Sequence, residues 1–436
     1  MVAGPVRASV TMLARIRSDP RKLRWIGWGA LAALFVLVNF HRVSTAVLAD
    51  TLGRAFDTTG AELGLLHAGF FYIYAPMQVF AGVFADRLGT RRVATVGSAV
   101  MGVGVVWFAF SGSFVQGFLA RALLGFGGSV VYIATLRYTA NWFRADEFAT
   151  VTGLTLSASA VGGLLAATPL AVLLSIVDWR TGLLGIGLVG FGFTVVVYVL
   201  VRNSPEDAGL TPIEGAPRAA EQSLAEILAG VRTVFGDRYT WLLGIMMFFA
   251  LGTNFTVMGL WGIPYVVRAY DVSVQAASVY TLVGNAGLVF GTPILGWLSD
   301  RLGVRTGIIL VAGVLYTLAY GSIVVLGTPP LWWVGVVFFL VMFLLGGFTL
   351  SYTVIKERHP ARMSGTATGT VNGMAFFGAA VLPSVMGAAL DVYWTGEVVA
   401  GNRVYTLFGY RVAFGVAAVS GVIALACAGW LHWRDR

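Results

Sequence analysis

The sequence predicts an all-α membrane protein of twelve transmembrane helices arranged as two six-helix bundles. Three observations predict it. The chain is 58% hydrophobic and only 11% charged, against roughly 25% charged residues in soluble chains. A mean hydropathy of +0.82 is more than a single buried core can use. The apolar residues also come in runs of about 20, the length that crosses a bilayer core. Finally, Gly82-Val83-Phe84-Ala85-Asp86-Arg87-Leu88-Gly89-Thr90-Arg91 recurs 214 residues later as Gly296-Trp297-Leu298-Ser299-Asp300-Arg301-Leu302-Gly303-Val304-Arg305. That period is too long for a solenoid repeat and fits a transporter built from two parallel halves.

The elements follow in order. Residues 1–24 form a basic arm carrying Arg7, Arg15, Arg17, Arg21, Lys22 and Arg24. Spans are expected at 25–48, 61–84, 93–110, 114–136, 148–177 and 181–201, making a first bundle over 25–201. The first run exceeds the ~7–15 residues of a signal-peptide apolar region and is expected to be retained. A polar linker, 202–240, contains Pro205, Pro212 and Pro217. Its segment from Glu221 to Phe235 alternates apolar and charged residues at helical spacing, as a helix lying on a membrane surface does. A second set of spans is expected at 241–267, 277–298, 306–326, 331–355, 363–389 and 410–431, giving a second bundle over 241–431 and a tail at 432–436. Of the 29 Lys and Arg, Arg42 and Arg121 fall inside spans, and Arg54, Arg180, Arg268, Arg403 and Arg411 fall on one side. The other 22 fall on the side of the termini, which the positive-inside rule assigns to the cytoplasm. The plasma membrane (a cell inner membrane) is the expected location.

Several functions are excluded at this level. Cys427 is the single cysteine, so neither an internal disulfide nor a zinc cluster is expected. The formal charge of +9 sits at membrane edges and implies lipid rather than nucleic acid as its partner. No phosphate-cradling Gly-x-x-x-x-Gly-Lys loop is found, and Ser44, Ser157 and Ser159 lack a His–acid pair. The chain is expected to be no enzyme and to need no metal or cofactor.

The two Gly-x-x-x-Asp-Arg-x-Gly-x-Arg stretches resemble the signature loop of the major facilitator superfamily, and here they follow spans two and eight, as in that family. The resemblance covers residues 25–431. It implies the major facilitator fold, a central cavity, and transport by rocking of the two bundles. It also makes Asp86, Arg87, Gly89, Arg91, Asp300, Arg301, Gly303 and Arg305 gating residues. An acid where a helix meets the membrane surface can pair with Arg or face another helix N-terminus; a plain charged turn is the simpler reading. Asn39-Phe40-His41-Arg42-Val43-Ser44-Thr45-Ala46 is similar to the first-span motif of the organic anion to cation symporter branch, with His41 where Asp is usual. Arg121-Ala122-Leu123-Leu124-Gly125-Phe126-Gly127-Gly128 resembles that branch's fourth-span motif without its glutamate. Asn141-Trp142-Phe143 and Ser364 to Asn372 resemble its loop after span four and its span eleven. Thr253, Asn254 and Thr256 stand where phosphate-ester carriers have a second arginine. Ala158 and Ser159 replace the Gly-Pro that precedes paired glycines in drug exporters.

Arg42 is the sharpest candidate for solute binding. A charge near the bilayer centre costs on the order of 2.5–3.5 kcal/mol, and no acid lies deep in any span. A guanidinium free of an acid can grip a carboxylate with two hydrogen bonds. The alternative is a structural tie to Asp50, Glu62 or helix-end carbonyls. Polar stripes complete the cavity expected around it: Asn39 in span one; His67, Phe71, Tyr74 and Gln78 in span two; Asn254 and Trp261 in span seven; Asn285 in span eight; Asn372 in span eleven. Each is also a plausible helix-packing residue. Arg121 either couples an ion or bonds carbonyls in a glycine-lined helix contact. His41 and His67 are the histidines inside spans and either sense protons or pack as neutral rings. The coupling ion is H+ or Na+.

These readings combine into a monomeric secondary carrier that moves a small organic anion such as a carboxylate, by alternating access coupled to an ion gradient. Two alternatives share the fold: a carrier of an amino acid or other zwitterion, and an exporter of an apolar compound. A transporter-like membrane receptor is an alternative of another class.

Overall fold

The computed structural model describes residues 20–216, 224–360, 363–399 and 402–435. Most of the basic arm, together with Pro217 and Glu221 of the linker, lies outside these residues. Span one is two helices, α1 (Pro20–Val43) and α2 (Thr45–Phe56), joined at Ser44. Spans two and three make up α3 (Gly60–Phe110), two helical segments that meet at a kink at Gly89, where φ is 78°. A side chain there would be strained, so glycine permits the turn. Span four is α4 (Phe114–Ser129) followed by α5 (Val131–Trp142). Span five is α6 (Ala145–Leu165) and α7 (Thr168–Ile176), and span six is α8 (Trp179–Leu200).

The linker contains the expected surface-type helix, α9 (Leu224–Gly236). Span seven is α10 (Arg238–Thr256), a π-helical turn at Val257–Trp261, and α11 (Gly262–Tyr270). The second half continues with α12 (Val274–Leu302), α13 (Arg305–Leu326), α14 (Leu331–Phe348), α15 (Leu350–Arg358) and α16 (Ser364–Asp391). The last helix is α17 (Leu407–Arg434). Between α16 and α17 lies an element the sequence did not announce, an antiparallel hairpin of β1 (Trp394–Val399) and β2 (Asn402–Tyr405). Its register pairs Trp394 with Tyr405 and Val399 with Asn402.

Eleven helices among the described residues are long and apolar enough to cross a membrane. The remaining expected span, 61–84, is helical throughout as the first part of α3. Large apolar side chains such as Val195, Ile176, Leu318 and Val325 are exposed on the outer surface, as they are in a protein whose solvent is lipid. The chain is a multi-pass membrane protein.

The two halves meet along α3 with α16, along α6 and α7 with α12, and through the middle of spans one and seven. The α3–α16 contact is tightest away from the signature loops. A Cβ on Gly64 would strike the backbone of Pro383, and one on Gly387 would strike that of Gly60. Towards the loops the same pair diverges. A Cβ on Gly373 would sit 3.3 Å from the Ala75 carbonyl and one on Gly369 4.0 Å from that of Gln78, while Gly82 and Gly365 have nothing within reach. Gly153 of α6 and Gly296 of α12 are equally open. The halves therefore form a wedge, closed at the far face and open at the signature-loop face.

Candidate solute site between the two halves

At the apex of the wedge lies Arg42, 4% exposed. α1 ends one residue later, and the break at Ser44 leaves Arg42 facing the second half. The guanidinium carbon stands 4.3 Å from the Tyr74 ring centre, 4.8 Å from Phe376, 5.7 Å from Phe35 and 6.0 Å from Phe70. Phe376 belongs to α16, so the cage is built by both halves. Ring faces attract a cation, by about 2 kcal/mol or more when water is excluded, which offsets part of the burial cost. They do not satisfy its N–H groups. Nη1 reaches the Asn39 Oδ1 at 3.5 Å, while Nε and Nη2 are buried without an acceptor. Neither expected acid comes to it. Glu62 instead caps α3, accepting from Thr59 N at 2.8 Å. Asn39 is anchored separately, its Nδ2 donating to Ser159 O at 2.6 Å.

The candidate residues divide between this layer and the surrounding frame. Phe71 lies parallel to Phe376, with centres 6.0 Å apart and planes 12° apart. Tyr74 meets Phe376 edge-on at 4.8 Å. On the loop side of the rings, the Asn372 amide faces Gln78 Oε1 at 3.4 Å and accepts from the Tyr352 hydroxyl at 2.9 Å. Asn285 lies against Gly163 of α6, close to the Asn39 amide. Asn254 and Trp261 are placed elsewhere. The Asn254 amide accepts from Tyr316 and Tyr320 and donates to Val341 O, so it is used up inside the second bundle. Trp261 donates to Pro383 O near the far face.

His67 stands between the site and the far face. Its Nδ1 contacts the Thr45 hydroxyl, which also donates to Gly259 O at 2.9 Å. A hydroxyl has one proton, so both contacts are hydrogen bonds when His67 carries its proton on Nδ1. Its Nε2 is then an unpartnered acceptor, buried against the π-helical turn. Thr45 and Gly259 are 214 residues apart, the repeat offset itself, so spans one and seven cross at equivalent positions. That equivalence was a signal in the sequence for a contact that sequence reasoning missed. Arg121 lies inside the first bundle, donating to His67 O at 3.2 Å, with its Nε buried and unpaired. His41 is buried with its ring against Phe40.

The far face is held by residues that sequence reasoning did not single out. The Asp391 carboxylate accepts from Gly60 N at 2.7 Å and Ala61 N at 2.8 Å, at the start of α3. Tyr405 of the hairpin donates to it at 3.1 Å, and Arg403 lies 4.0 Å away. Burial, followed by the neighbouring Asp391 charge, raises the Tyr405 hydroxyl well above its usual range. At the opposite face each signature loop is tied within its own half. Arg91 donates to Asn203 Oδ1 and Tyr198 O. Arg305 pairs with Glu357 at 2.7 Å and lies 4.0 Å from Asp300. Arg301 covers Trp297, Arg87 is exposed, and Gly303, like Gly89, has positive φ. The Asp86 side chain lies outside the described residues.

The Major Facilitator Superfamily model matches residues 29–383. The chain belongs to that superfamily. Its similarity extends to the protein named "Probable sulfoacetate transporter SauU" from Cupriavidus necator, 26% identical over 85% of this chain and 88% of that one. It extends also to the gentisate transporter of Corynebacterium glutamicum, 27% identical over 92% and 87%. Among solved structures it resembles a bacterial homolog of the human lysosomal transporter Spinster in an inward-facing, occupied conformation. That likeness has TM-score 0.74 at 18% identity, covering 96% of this chain and 98% of that one, and it shows the fold. This superfamily member is a transporter of small organic solutes, with the fold and relatives of membrane carriers rather than enzymes.

Proposed function

We propose that the chain is a secondary active carrier of a small organic anion held through Arg42. The observation that carries this reading is the buried guanidinium with Nε and Nη2 unsatisfied at the meeting of the two halves. A carboxylate supplies the two acceptors such a fork lacks, and charge-assisted bidentate pairing is the strong form of that contact. The relatives named for sulfoacetate and gentisate transport handle organic anions, which supports the same class. Thr256, one repeat after Arg42, carries a hydroxyl rather than a second guanidinium, which disfavours a phosphate ester.

The two bundles, 25–201 and 241–431, rock about the site and expose it alternately. The signature-loop face is cytoplasmic, by the distribution of Lys and Arg, so the wedge described above is the inward-open arrangement in the cell inner membrane. An ion gradient drives the cycle. His67, which joins the halves through Thr45 and Gly259, is the proton-coupling group favoured by position, ahead of His41 and Arg121. The signature loops act as gates at the cytoplasmic face.

The test is thermal stabilisation of the purified protein by anionic, zwitterionic and cationic solutes, with Arg42→Gln alongside. A ligand that binds only the folded state stabilises it by mass action, about 2.7 kcal/mol at a hundredfold excess over Kd. Stabilisation by carboxylates that vanishes in Arg42→Gln is expected. Equal stabilisation of both proteins, or protection by cations alone, refutes the assignment. Counterflow in liposomes separates a carrier from a receptor, since only a carrier exchanges labelled solute.

A further inference from the structure

We infer that the solute is an anion with a flat aromatic body, a benzoate-class monocarboxylate whose ring enters between Phe71 and Tyr74 of one half and Phe255 and Phe376 of the other. The inference rests on the reading of Arg42 as the anion site and adds the chemistry of the remainder of the molecule.

The first observation is the composition of the layer. Phe71 packs on Phe255 at 5.7 Å and on Phe376 at 6.0 Å, Phe255 packs on Phe376 at 5.8 Å, and Tyr74 packs on Phe376 at 4.8 Å. All but one of these contacts cross the interface between the halves. Arg42 lies at the end of the same stack, 4.8 Å from Phe376. A ring lying in this layer with its carboxylate on Arg42 replaces ring–ring contacts that must part when the halves rock. A hydroxyl-rich sugar acid presents only its C–H faces to such rings, and it would bury its own hydroxyls against apolar carbon.

The second observation is the distribution of polar groups. The amides of Gln78 and Asn372 and the Tyr352 hydroxyl stand to one side of the rings and bond one another, at 3.4 and 2.9 Å. They can meet one or two polar substituents at a ring's edge, but they do not surround a polyol. The charge is likewise single. Arg121 faces the interior of the first bundle, against His67 O and the Phe108 ring. The layer is thus shaped for one negative charge, a flat apolar body and a small polar edge.

The experiment measures thermal protection of the full chain by benzoate, cyclohexanecarboxylate, acetate, a hexuronate and glycerol phosphate. The wild type is compared with Phe376→Leu, Phe71→Leu and Arg42→Gln. Benzoate and cyclohexanecarboxylate share size and charge and differ in flatness and π-character. The expected result is half-maximal protection by benzoate at a concentration at least tenfold below that for cyclohexanecarboxylate, with the difference reduced to threefold or less in either leucine variant. Two variants from different halves keep the test decisive if one fails to fold. Equal protection by the two acids, or stronger protection by the hexuronate, overturns the aromatic assignment while leaving the anion reading intact if Arg42→Gln abolishes it. Protection that survives Arg42→Gln, or no protection by any anion, overturns both.

Discussion

Replacing Asp391 by Asn isolates the contact that holds the far face shut. The native carboxylate accepts two N–H groups from the first turn of α3 and the Tyr405 hydroxyl. A hydrogen bond to a charged group contributes about 1.5–3 kcal/mol net, and a negative charge at a helix N-terminus adds about 0.3–1 kcal/mol. The amide of Asn keeps one acceptor oxygen, so one N–H bond survives while the other and the charge are lost. With the side chain 21% exposed, solvent screening trims the sum of these contributions to about 1.5–2.5 kcal/mol. All of it falls on the state in which the far face is closed. At 1.4 kcal/mol per factor of ten, the far-open fraction rises roughly 10- to 60-fold. The assay is labelling by a membrane-impermeant maleimide of Thr58→Cys, a buried position beside the α3 N-terminus, in a Cys427→Ser background. When the far-open state is rare, the labelling rate follows its population. The rate should rise by that factor in Asp391→Asn and by a smaller one in Tyr405→Phe. A rate unchanged within twofold, in a variant that melts normally, refutes the idea that this contact holds the face.

Other outcomes follow from the same geometry. Arg42→Met should abolish protection by solute yet raise the melting temperature of the solute-free protein, because it removes two orphaned buried donors worth about 1–3 kcal/mol each; a large fall in stability would show that Arg42 is a structural tie. Gly64→Ala places a Cβ against the Pro383 backbone and should prevent far-face closure, so that Thr58→Cys labels rapidly at all times and transport is lost. If His67 carries the coupling proton, His67→Gln should cut uptake driven by a pH gradient at least tenfold while leaving counterflow of labelled solute within about threefold; preserved gradient-driven uptake would reassign coupling to another group or to sodium.

The fold was legible because its signals are long and redundant. A run such as Trp179–Leu200 reads as a span whatever its neighbours do, and the doubled Asp-Arg-x-Gly-x-Arg stretch states the two halves outright. Arg42 was legible for a related reason: a charge inside an apolar run conflicts with its surroundings. What stayed hidden depends on which helix faces which. Asn254 and Asn372 look alike in sequence, each an amide in an apolar helix. Only packing turns one towards Tyr316 and Tyr320 inside a bundle and the other towards Gln78 across the interface. Asp391 gave no local sign, because the partners that join it to the other half are backbone groups more than 300 residues away. The strand pair at 394–399 and 402–405 was hidden in a stretch too short and mixed to announce strands.

The cage around Arg42 also ties solute binding to the relation between the halves. Phe376 belongs to the second half, and Phe35, Phe70 and Tyr74 to the first, so the guanidinium is shared across the interface. A ligand shifts a conformational equilibrium only by its differential affinity for the two states. Here the difference has a physical origin. When a carboxylate takes up Nε and Nη2, the cation is neutralised and its attraction to the Phe376 ring weakens, so one side chain both binds the solute and loosens a contact between the halves. A double-mutant cycle on Arg42→Gln and Phe376→Leu, read through Thr58→Cys labelling with and without solute, tests this directly. Without solute the two substitutions should be non-additive by about 0.5–2 kcal/mol, the worth of a buried cation–π pair. Additive effects would mean that Arg42 and Phe376 act independently and that the bond between binding and movement lies elsewhere.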